Sequence, residues 1–548
     1  MLDGVVGWPP ELARRYRARG YWAGTTLGQA FDRSVAANTD RVAVVDGARR
    51  FTYRELSRLV DRLALHLALR GVRGGERVVF QLPNTAELVI AYLACLKVGA
   101  IPVCCLPAHR HAEIGYLADF TQAAAWLLPS ELRGFDYVAM AEELRGSLPA
   151  LREVIVAGGR AGRGMTPMDE LLEDAVEERT TPGSLGRLRP RPDDVAVFQL
   201  SGGTTGLPKV IPRTHDDYVY NSLQFAAVTD FDRESVLLVS IPGEHNFPLA
   251  CPGLQGALLL GARVVLAPSP DPEAVFSLVE AERVTWIPAV PASVITWLNH
   301  PKRTRYDLGS IRTLIVGGSR LTPEPARAAR EAFGPALAQV YGMAEGLLCA
   351  TRRSDPVEVI LESQGRPVCP DDELRIVDDD GREVPSGELG ELQCRGPYTI
   401  RGYYRAAEHN RTAFTEDGFY KTGDLVRRHP SGNLIVEGRK KDTINRGGEK
   451  ISSEEVENLI LAHPAVLNVA VVAMPDPVLG ERACAFVILR PGATLTLQAL
   501  CRFLLDDKRV AKFKLPERLE LREHFPMTPV GKISKKDLRD EARKAVQA

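Results

Sequence analysis

The sequence predicts an α/β protein with a β-rich segment and a separate α+β domain towards its C-terminal end. Three observations predict it. Between residues 77 and 342, apolar strand-like runs alternate with helical stretches, as they do where helices join parallel strands. Residues 373–426 then change to short strands and turns, and beyond Glu437-Gly438-Arg439-Lys440-Lys441-Asp442 the order becomes helix, strand, strand, helix. At 548 residues the chain exceeds what one core holds, so two or more domains are expected. The boundary is expected at Gly438, giving residues 1–437 and 438–548.

In chain order, residues 25–36 read as a helix, and residues 42–47 and 50–53 as a hairpin turning at Asp46-Gly47, because Asp-Gly tolerates the positive φ of a tight turn. Thr52-Tyr53-Arg54-Glu55 has capping-box spacing and opens a helix to Leu69. Strands are expected at 77–82, 101–106, 125–128 and 154–156, with a helix at 87–98. Residues 158–192, rich in Gly, Arg, Pro and charge, read as a surface excursion carrying a short helix at 168–175. Strands return at 194–200, 210–212, 235–241, 263–266, 284–287, 313–316 and 338–341, interleaved with helices at 253–260, 272–282 and 323–332. The last part reads as helix 452–461, strands 466–472 and 482–489, and helix 497–505.

Composition narrows the function classes. With 45% apolar and 25% charged residues and a net charge of −1, nothing draws the chain to nucleic acid or to a membrane surface. Residues 1–20 contain Pro9-Pro10 and a basic cluster but no continuous apolar run, so no secretory signal is expected. The apolar stretches 88–108 and 247–262 are interrupted by Lys97, Pro102, Pro252 and Gly253 and read as buried elements, not spans. Nine cysteines show no Cys-x-x-Cys pair, and ten histidines no His-x-x-x-His pair. No zinc site is expected, and core thiols such as Cys104-Cys105 point to a reducing cytoplasm.

The chemistry concentrates at Leu200-Ser201-Gly202-Gly203-Thr204-Thr205-Gly206-Leu207-Pro208-Lys209, set between two strand-like runs. Glycines let backbone N–H groups converge on a ligand, hydroxyls add donors and the lysine adds charge, a combination suited to phosphate. A flexible surface turn is the plain alternative. An ordinary P-loop is excluded, because Gly-Lys-Ser/Thr opening a helix is missing.

Four further stretches follow: Tyr341-Gly342-Met343-Ala344-Glu345-Gly346, Tyr420-Lys421-Thr422-Gly423-Asp424-Leu425, Gly438-Arg439-Lys440-Lys441-Asp442 with its continuation to Lys450, and Pro529-Val530-Gly531-Lys532-Ile533. In this order and spacing the chain resembles the adenylate-forming superfamily along nearly its whole length. That resemblance implies a large N-terminal part of two layered α/β subdomains plus a β-barrel-like subdomain, with a small mobile α+β C-terminal domain. A narrower likeness rests on Trp8-Pro9, Tyr16-Arg17-Ala18-Arg19-Gly20-Tyr21-Trp22, Pro212-Arg213-Thr214-His215 and His245-Asn246-Phe247-Pro248-Leu249. These look like the stand-alone aryl-acid AMP ligases, which activate salicylate or 2,3-dihydroxybenzoate for siderophore-type assembly lines.

The resemblance implies ATP, Mg²⁺ and a set of roles. Ser201, Gly202, Gly203, Thr204, Thr205 and Lys209 would hold the β,γ-phosphates. Gly318, Val340, Tyr341 and Gly342 would line the adenine slot; Asp424 would accept from the ribose hydroxyls, with Arg439 reinforcing the site. Glu345 would bind Mg²⁺, a hard cation that prefers oxygen. Lys532 would be the catalytic residue, bridging the aryl carboxylate and the α-phosphate; without the resemblance it is a solvated lysine beside Lys535 and Lys536. Lys441 would be the hinge of the C-terminal domain, with Gly447-Gly448-Glu449-Lys450 turning towards a pantetheine channel. The acid would lie among His245, Asn246, Phe247, Cys251, Gly317 and Leu348.

Asn246 suits an ortho-hydroxyl and not the ammonium of an amino acid, and Phe247 and Leu348 offer apolar walls for a ring. Cys251 and Leu348 stand where dihydroxybenzoate enzymes usually carry serine and valine, which favours salicylate. The acyl acceptor is expected to be the phosphopantetheine of an aryl carrier protein supplied in trans, or free coenzyme A. A non-catalytic nucleotide-binding protein is the opposing class, and the intact Glu345, Asp424 and Lys532 argue against it.

Overall fold

The computed structural model describes residues 2–180, 190–201, 208–447, 449–528 and 531–547. Among these, two largely parallel sheets form the N-terminal part. One has nine strands, in the order Arg366–Pro367, Leu348–Ala350, Leu337–Gly342, Thr313–Val316, Trp286–Ala289, Val236–Val239, Arg263–Leu266, Val42–Asp46, Arg49–Thr52. The other has seven: Val210–Thr214, Val195–Leu200, Ile101–Cys104, Arg77–Phe80, Ala123–Pro129, Glu153–Ala157, Thr166–Pro167. Antiparallel pairs occur only at their ends.

Strand alternation makes the layers. Val78 and Phe80 join the central core while Val79 faces the outer one, and Val44 and Val45 divide in the same way. Helices Leu27–Asn38, Tyr53–Leu69, Ala86–Val98, His215–Val228 and Gly253–Leu260 contribute to that central core, between the sheets. Helix Ala86–Val98 is buried at every position but Glu87 and Lys97, and the Lys97 ammonium reaches Asp32 and Asp61 at 2.6 Å each. The expected capping box at Thr52 and Glu55 is present. The first hairpin pairs Asp46 with Arg49 around Gly47 at φ +58°.

The β-rich segment is a four-stranded antiparallel sheet, Glu373–Val377, Gly390–Arg395, Tyr420–Arg428 and Leu434–Arg439. The C-terminal part packs helices Ser453–Leu461, Leu497–Asp506 and Lys535–Gln547 on a five-stranded sheet whose long pair is Val466–Asp476 with Gly480–Leu489. Among the described residues no helix is long and apolar enough to cross a membrane.

Some elements differ from the sequence expectation. The strand expected at 284–287 is Trp286–Ala289, because Thr285 instead ties the strand starts together, its hydroxyl accepting from Val236 N–H at 2.8 Å. Helices His111–Thr121, Tyr137–Arg145, His215–Val228 and Lys535–Gln547 had no expectation. His215–Val228 starts with His215-Asp216-Asp217 and is buried along most of its length, so no solvent face marks its period. Lys535 is not solvated: its ammonium meets Glu457 at 2.7 Å and Ser453 Oγ at 3.0 Å.

Candidate active site

The phosphate-loop motif is carried on an antiparallel pair, Leu200 opposite Val210. Its two ends clasp each other: Ser201 N–H donates to Lys209 O at 2.9 Å, and Lys209 N–H donates to Ser201 Oγ at 3.0 Å. Gly202, Gly203, Thr204 and Thr205 lie outside the described residues. The Lys209 ammonium stands 5.6 Å from the centroid of the Tyr403 ring. Tyr403 OH donates to Glu345 Oε1 at 2.7 Å and meets Tyr420 OH at 2.9 Å. Tyr403 therefore links the lysine of the loop to the candidate metal carboxylate. The sequence assigned no role to Tyr403, and Tyr420 entered only as the first residue of a motif stretch.

Glu345 sits in the turn between strands Leu337–Gly342 and Leu348–Ala350, and is buried. Two contacts hold that turn. Ile400 N–H donates to Glu345 O at 2.8 Å, and Arg213 donates to Ala344 O at 2.9 Å. Arg213 is fully buried, pairs with Asp217 at 2.9 Å and donates to Asn221 Oδ1 at 3.1 Å. It lies in a stretch that carried part of the resemblance, but its role emerges only from this packing.

The strand end Val340-Tyr341-Gly342 faces the four-stranded sheet. Tyr341 OH donates to Asp424 Oδ2 at 2.7 Å, and Arg439 Nε donates to Asp424 Oδ1 at 2.8 Å. Asp424 and Arg439 are opposite each other in the ladder. The Asp424 charge lifts the Arg439 guanidinium above its ordinary range, against the opposing effect of desolvation. Each Asp424 oxygen keeps a second lone pair, so acceptor capacity for hydroxyls remains.

Lys532 is brought from the C-terminal domain into this group. Its turn is closed by Thr528 N–H donating to Lys532 O at 2.6 Å and Lys532 N–H donating to Thr528 Oγ1 at 3.0 Å. The side chain lies against Gly318: a Cβ there, at φ +85°, would fall 3.1 Å from Lys532 Cε and 3.7 Å from Nζ. The glycine supplies both the left-handed backbone and the room for the lysine. Burial, then the Arg439 charge, pushes the Lys532 amine down to about 8, against the pull of Asp424 and Glu345.

The residues expected around the acid lie beside it. His245 is held neutral, pushed down to about 3 by burial and secondarily by Lys532; its Nδ1 accepts from Phe247 N–H at 3.3 Å and caps helix Asn246–Ala250. A Cβ at Gly317 would lie 2.4 Å from Val340 Cγ1 and 3.5 Å from Phe247 Cζ, so that glycine lets the ring and the strand close up. Leu348 covers Gly342, where a Cβ would meet its Cδ2 at 2.5 Å. Asn246 and Cys251 are buried and in contact, with Asn246 Nδ2 donating to Cys251 Sγ at 3.7 Å. Phe247, Cys251, Val340 and Leu348 all belong to the central core.

Lys441 occupies the short turn Lys440–Asp442 between the two sheets' strands Leu434–Arg439 and Ile444–Arg446. Its neighbours are anchored on opposite sides: Lys440 to Glu391 at 3.0 Å in the four-stranded sheet, and Asp442 to Arg539 in the last helix. Burial, then Arg439, lowers the Lys441 amine.

Two family models match the chain. "AMP-binding enzyme" covers residues 31–404, and "AMP-binding enzyme C-terminal domain" covers residues 455–532. A salicylyl-CoA synthase / salicylate adenylyltransferase from Streptomyces sp. is 51% identical over 99% of this chain and 98% of its own. A 2,3-dihydroxybenzoate-AMP ligase from Bacillus subtilis is 46% identical over 98% of both. Among solved structures, the anthranilate CoA ligase AuaEII in complex with anthranoyl-AMP matches with a TM-score of 0.87 at 26% identity, over 96% of this chain and 98% of that one.

Proposed function

The chain belongs to the AMP-binding enzyme family and is an adenylate-forming ligase, and on that premise we propose that it activates salicylate with ATP, releases pyrophosphate, and passes the salicyl group to a phosphopantetheine thiol. The observation that carries this reading is Lys532 lying against Gly318 with His245, Arg439, Asp424 and Glu345 around it. One cation there can draw two anions together, which is what carboxylate attack on a phosphate requires.

In the first half-reaction a carboxylate oxygen of the acid forms a bond to the α-phosphorus, and the bond from phosphorus to the bridging oxygen of pyrophosphate breaks. The Lys532 ammonium orients the carboxylate and stabilises charge on the phosphoryl oxygens. Lys209 and the loop it closes offset charge on the departing pyrophosphate, while Asp424 orients the ribose. His245, neutral, keeps a second positive charge away from Lys532. Glu345 fits a Mg²⁺ that arrives with the nucleotide. It is a single buried carboxylate with one oxygen engaged by Tyr403, and Mg²⁺ is usually held by one or two carboxylates plus phosphate oxygens. Bound there, the ion would neutralise phosphate charge.

In the second half-reaction the thiol sulfur bonds to the salicyl carbonyl carbon and AMP departs. The C-terminal domain would turn at Lys441 to remove Lys532 and bring in Gly447-Gly448-Glu449-Lys450. The anchoring of Lys440 to the four-stranded sheet and of Asp442 to the last helix supports that position for the hinge.

Salicylate is favoured over 2,3-dihydroxybenzoate because Cys251 is a poor partner for a 3-hydroxyl. Its neutral thiol, pushed up to about 12 by burial, already directs its proton to Asn246 O at 3.6 Å. A buried hydroxyl without a partner costs about 1–3 kcal/mol. An aryl carrier protein is the favoured acceptor; the name of the Streptomyces relative supports free coenzyme A as the second reading. The nine free cysteines agree with a cytoplasmic setting. ATP–pyrophosphate exchange across benzoate, salicylate, 2,3-dihydroxybenzoate and 3-hydroxypicolinate tests the first step. Exchange as fast with 2,3-dihydroxybenzoate as with salicylate would refute the choice of acid. Thioester formation with coenzyme A and with a carrier protein, in parallel, decides the acceptor.

A further inference from the structure

An asparagine amide can meet a ligand with either end, but the neighbours of Asn246 leave one orientation. Tyr218 OH donates to Asn246 Oδ1 at 2.7 Å. The phenol has a single proton, and burial raises it well above its ordinary range, so the proton stays. On the other side the Cys251 thiol proton is directed to Asn246 O at 3.6 Å, so sulfur lone pairs face Asn246 Nδ2 at 3.7 Å. Both neighbours demand the same arrangement: the amide oxygen is engaged, and the amide nitrogen, with two protons, retains one. Tyr218 is itself fixed. The Arg213 guanidinium lies 4.4 Å from its ring centroid, and Gln255 Nε2 donates to its backbone carbonyl at 2.9 Å.

We propose that Tyr218 is a specificity-determining positioning residue. It turns Asn246 so that the pocket meets the ortho substituent of the acid with an N–H donor, selecting 2-hydroxy acids over 2-amino acids. The proposal rests on the aryl-acid reading above. In salicylate the phenol proton is taken up by the molecule's own carboxylate, and an oxygen lone pair faces outward. In 2-aminobenzoate one N–H is taken up in the same way, and the other faces outward and opposes Asn246 donor to donor. A site built for one hydrogen-bond polarity rejects the other, because buried donors are left unpaired.

The test is ATP–pyrophosphate exchange by the full chain with salicylate, 2-aminobenzoate and benzoate, for the wild type and Tyr218→Phe. The wild type should prefer salicylate to 2-aminobenzoate by about tenfold or more in kcat/KM. Tyr218→Phe frees the amide to rotate and should shrink that ratio by about fivefold or more, while benzoate, which has no ortho group, changes least. Equal losses for all three acids with an unmoved ratio would make Tyr218 merely structural and overturn the proposal. If the variant does not fold, the wild-type ratio decides: 2-aminobenzoate used as well as salicylate overturns it. No exchange with any of the three acids refutes the aryl-acid reading and this proposal together, whereas exchange with salicylate and an unmoved ratio refutes the proposal alone.

Discussion

Replacing Lys532 with alanine should separate the two half-reactions. The side chain enters the N-terminal site from the C-terminal domain and passes Gly318, whose Cβ position is 3.1 Å from Lys532 Cε. An ammonium shared by carboxylate and α-phosphate makes two charge-assisted hydrogen bonds of about 1.5–3 kcal/mol each. Their joint loss raises the adenylation barrier by about 3–6 kcal/mol, or about 10²–10⁴-fold in rate. Exchange should fall by that factor, while thiol transfer from presynthesised salicyl-AMP should survive, since Lys532 is not needed there. The pH profile gives a second signature. Burial and Arg439 hold the amine at about 8, below the ordinary 10.5, and the working form is the cation. Wild-type kcat/KM for exchange, which reports the free enzyme, should therefore decline as pH rises through about 8. Lys532→Arg, whose guanidinium stays charged, should abolish that decline at whatever rate it retains. Exchange by Lys532→Ala within a few-fold of wild type, or a wild-type profile flat to pH 10, would refute the assignment.

Three further outcomes are expected. Cys251→Ser supplies a hydroxyl where the thiol now stands, and should raise the 2,3-dihydroxybenzoate-to-salicylate ratio in exchange by about five- to a hundredfold. Arg213→Ala strips Asp217, itself fully buried, of its cation and leaves Ala344 O without its donor; a loss of about 3–5 kcal/mol is expected in urea unfolding, with exchange weakened through the Glu345 turn. Lys441→Pro restricts the backbone of the Lys440–Asp442 turn, so exchange should persist while thiol transfer drops by about tenfold or more; equal losses in both assays would remove the hinge from that position.

Much of the fold was legible because its signals are local. The Thr52 capping box, the Asp46-Gly47 turn and helices Gly253–Leu260 and Pro272–Glu282 each depend on residues within a few positions of one another. Helix His215–Val228 escaped notice for the opposite reason: it is enclosed by the rest of the core, so neither face is marked by solvent-facing residues. The pairing of Lys535 with Glu457, from another helix, has no local signal in the sequence and arises only from packing.

The candidate site divides in the same way. The chemical groups were present in short stretches: a hydroxyl-rich glycine loop, Glu345 after a strand, Asp424, Lys532. Their types alone pointed to phosphate; their order carried the resemblance to the adenylate-forming superfamily, and that resemblance implied a nucleotide and a carboxylic acid. Tertiary packing alone decided what each group faces. Tyr403 stands between Lys209 and Glu345, Arg213 anchors the Glu345 turn, and Tyr218 and Cys251 both contact the Asn246 amide. The physical reason is that hydrogen-bond polarity and burial belong to pairs of groups, not to single residues. An asparagine in a sequence is donor and acceptor at once; it becomes one of them only when a tyrosine from another helix occupies its oxygen.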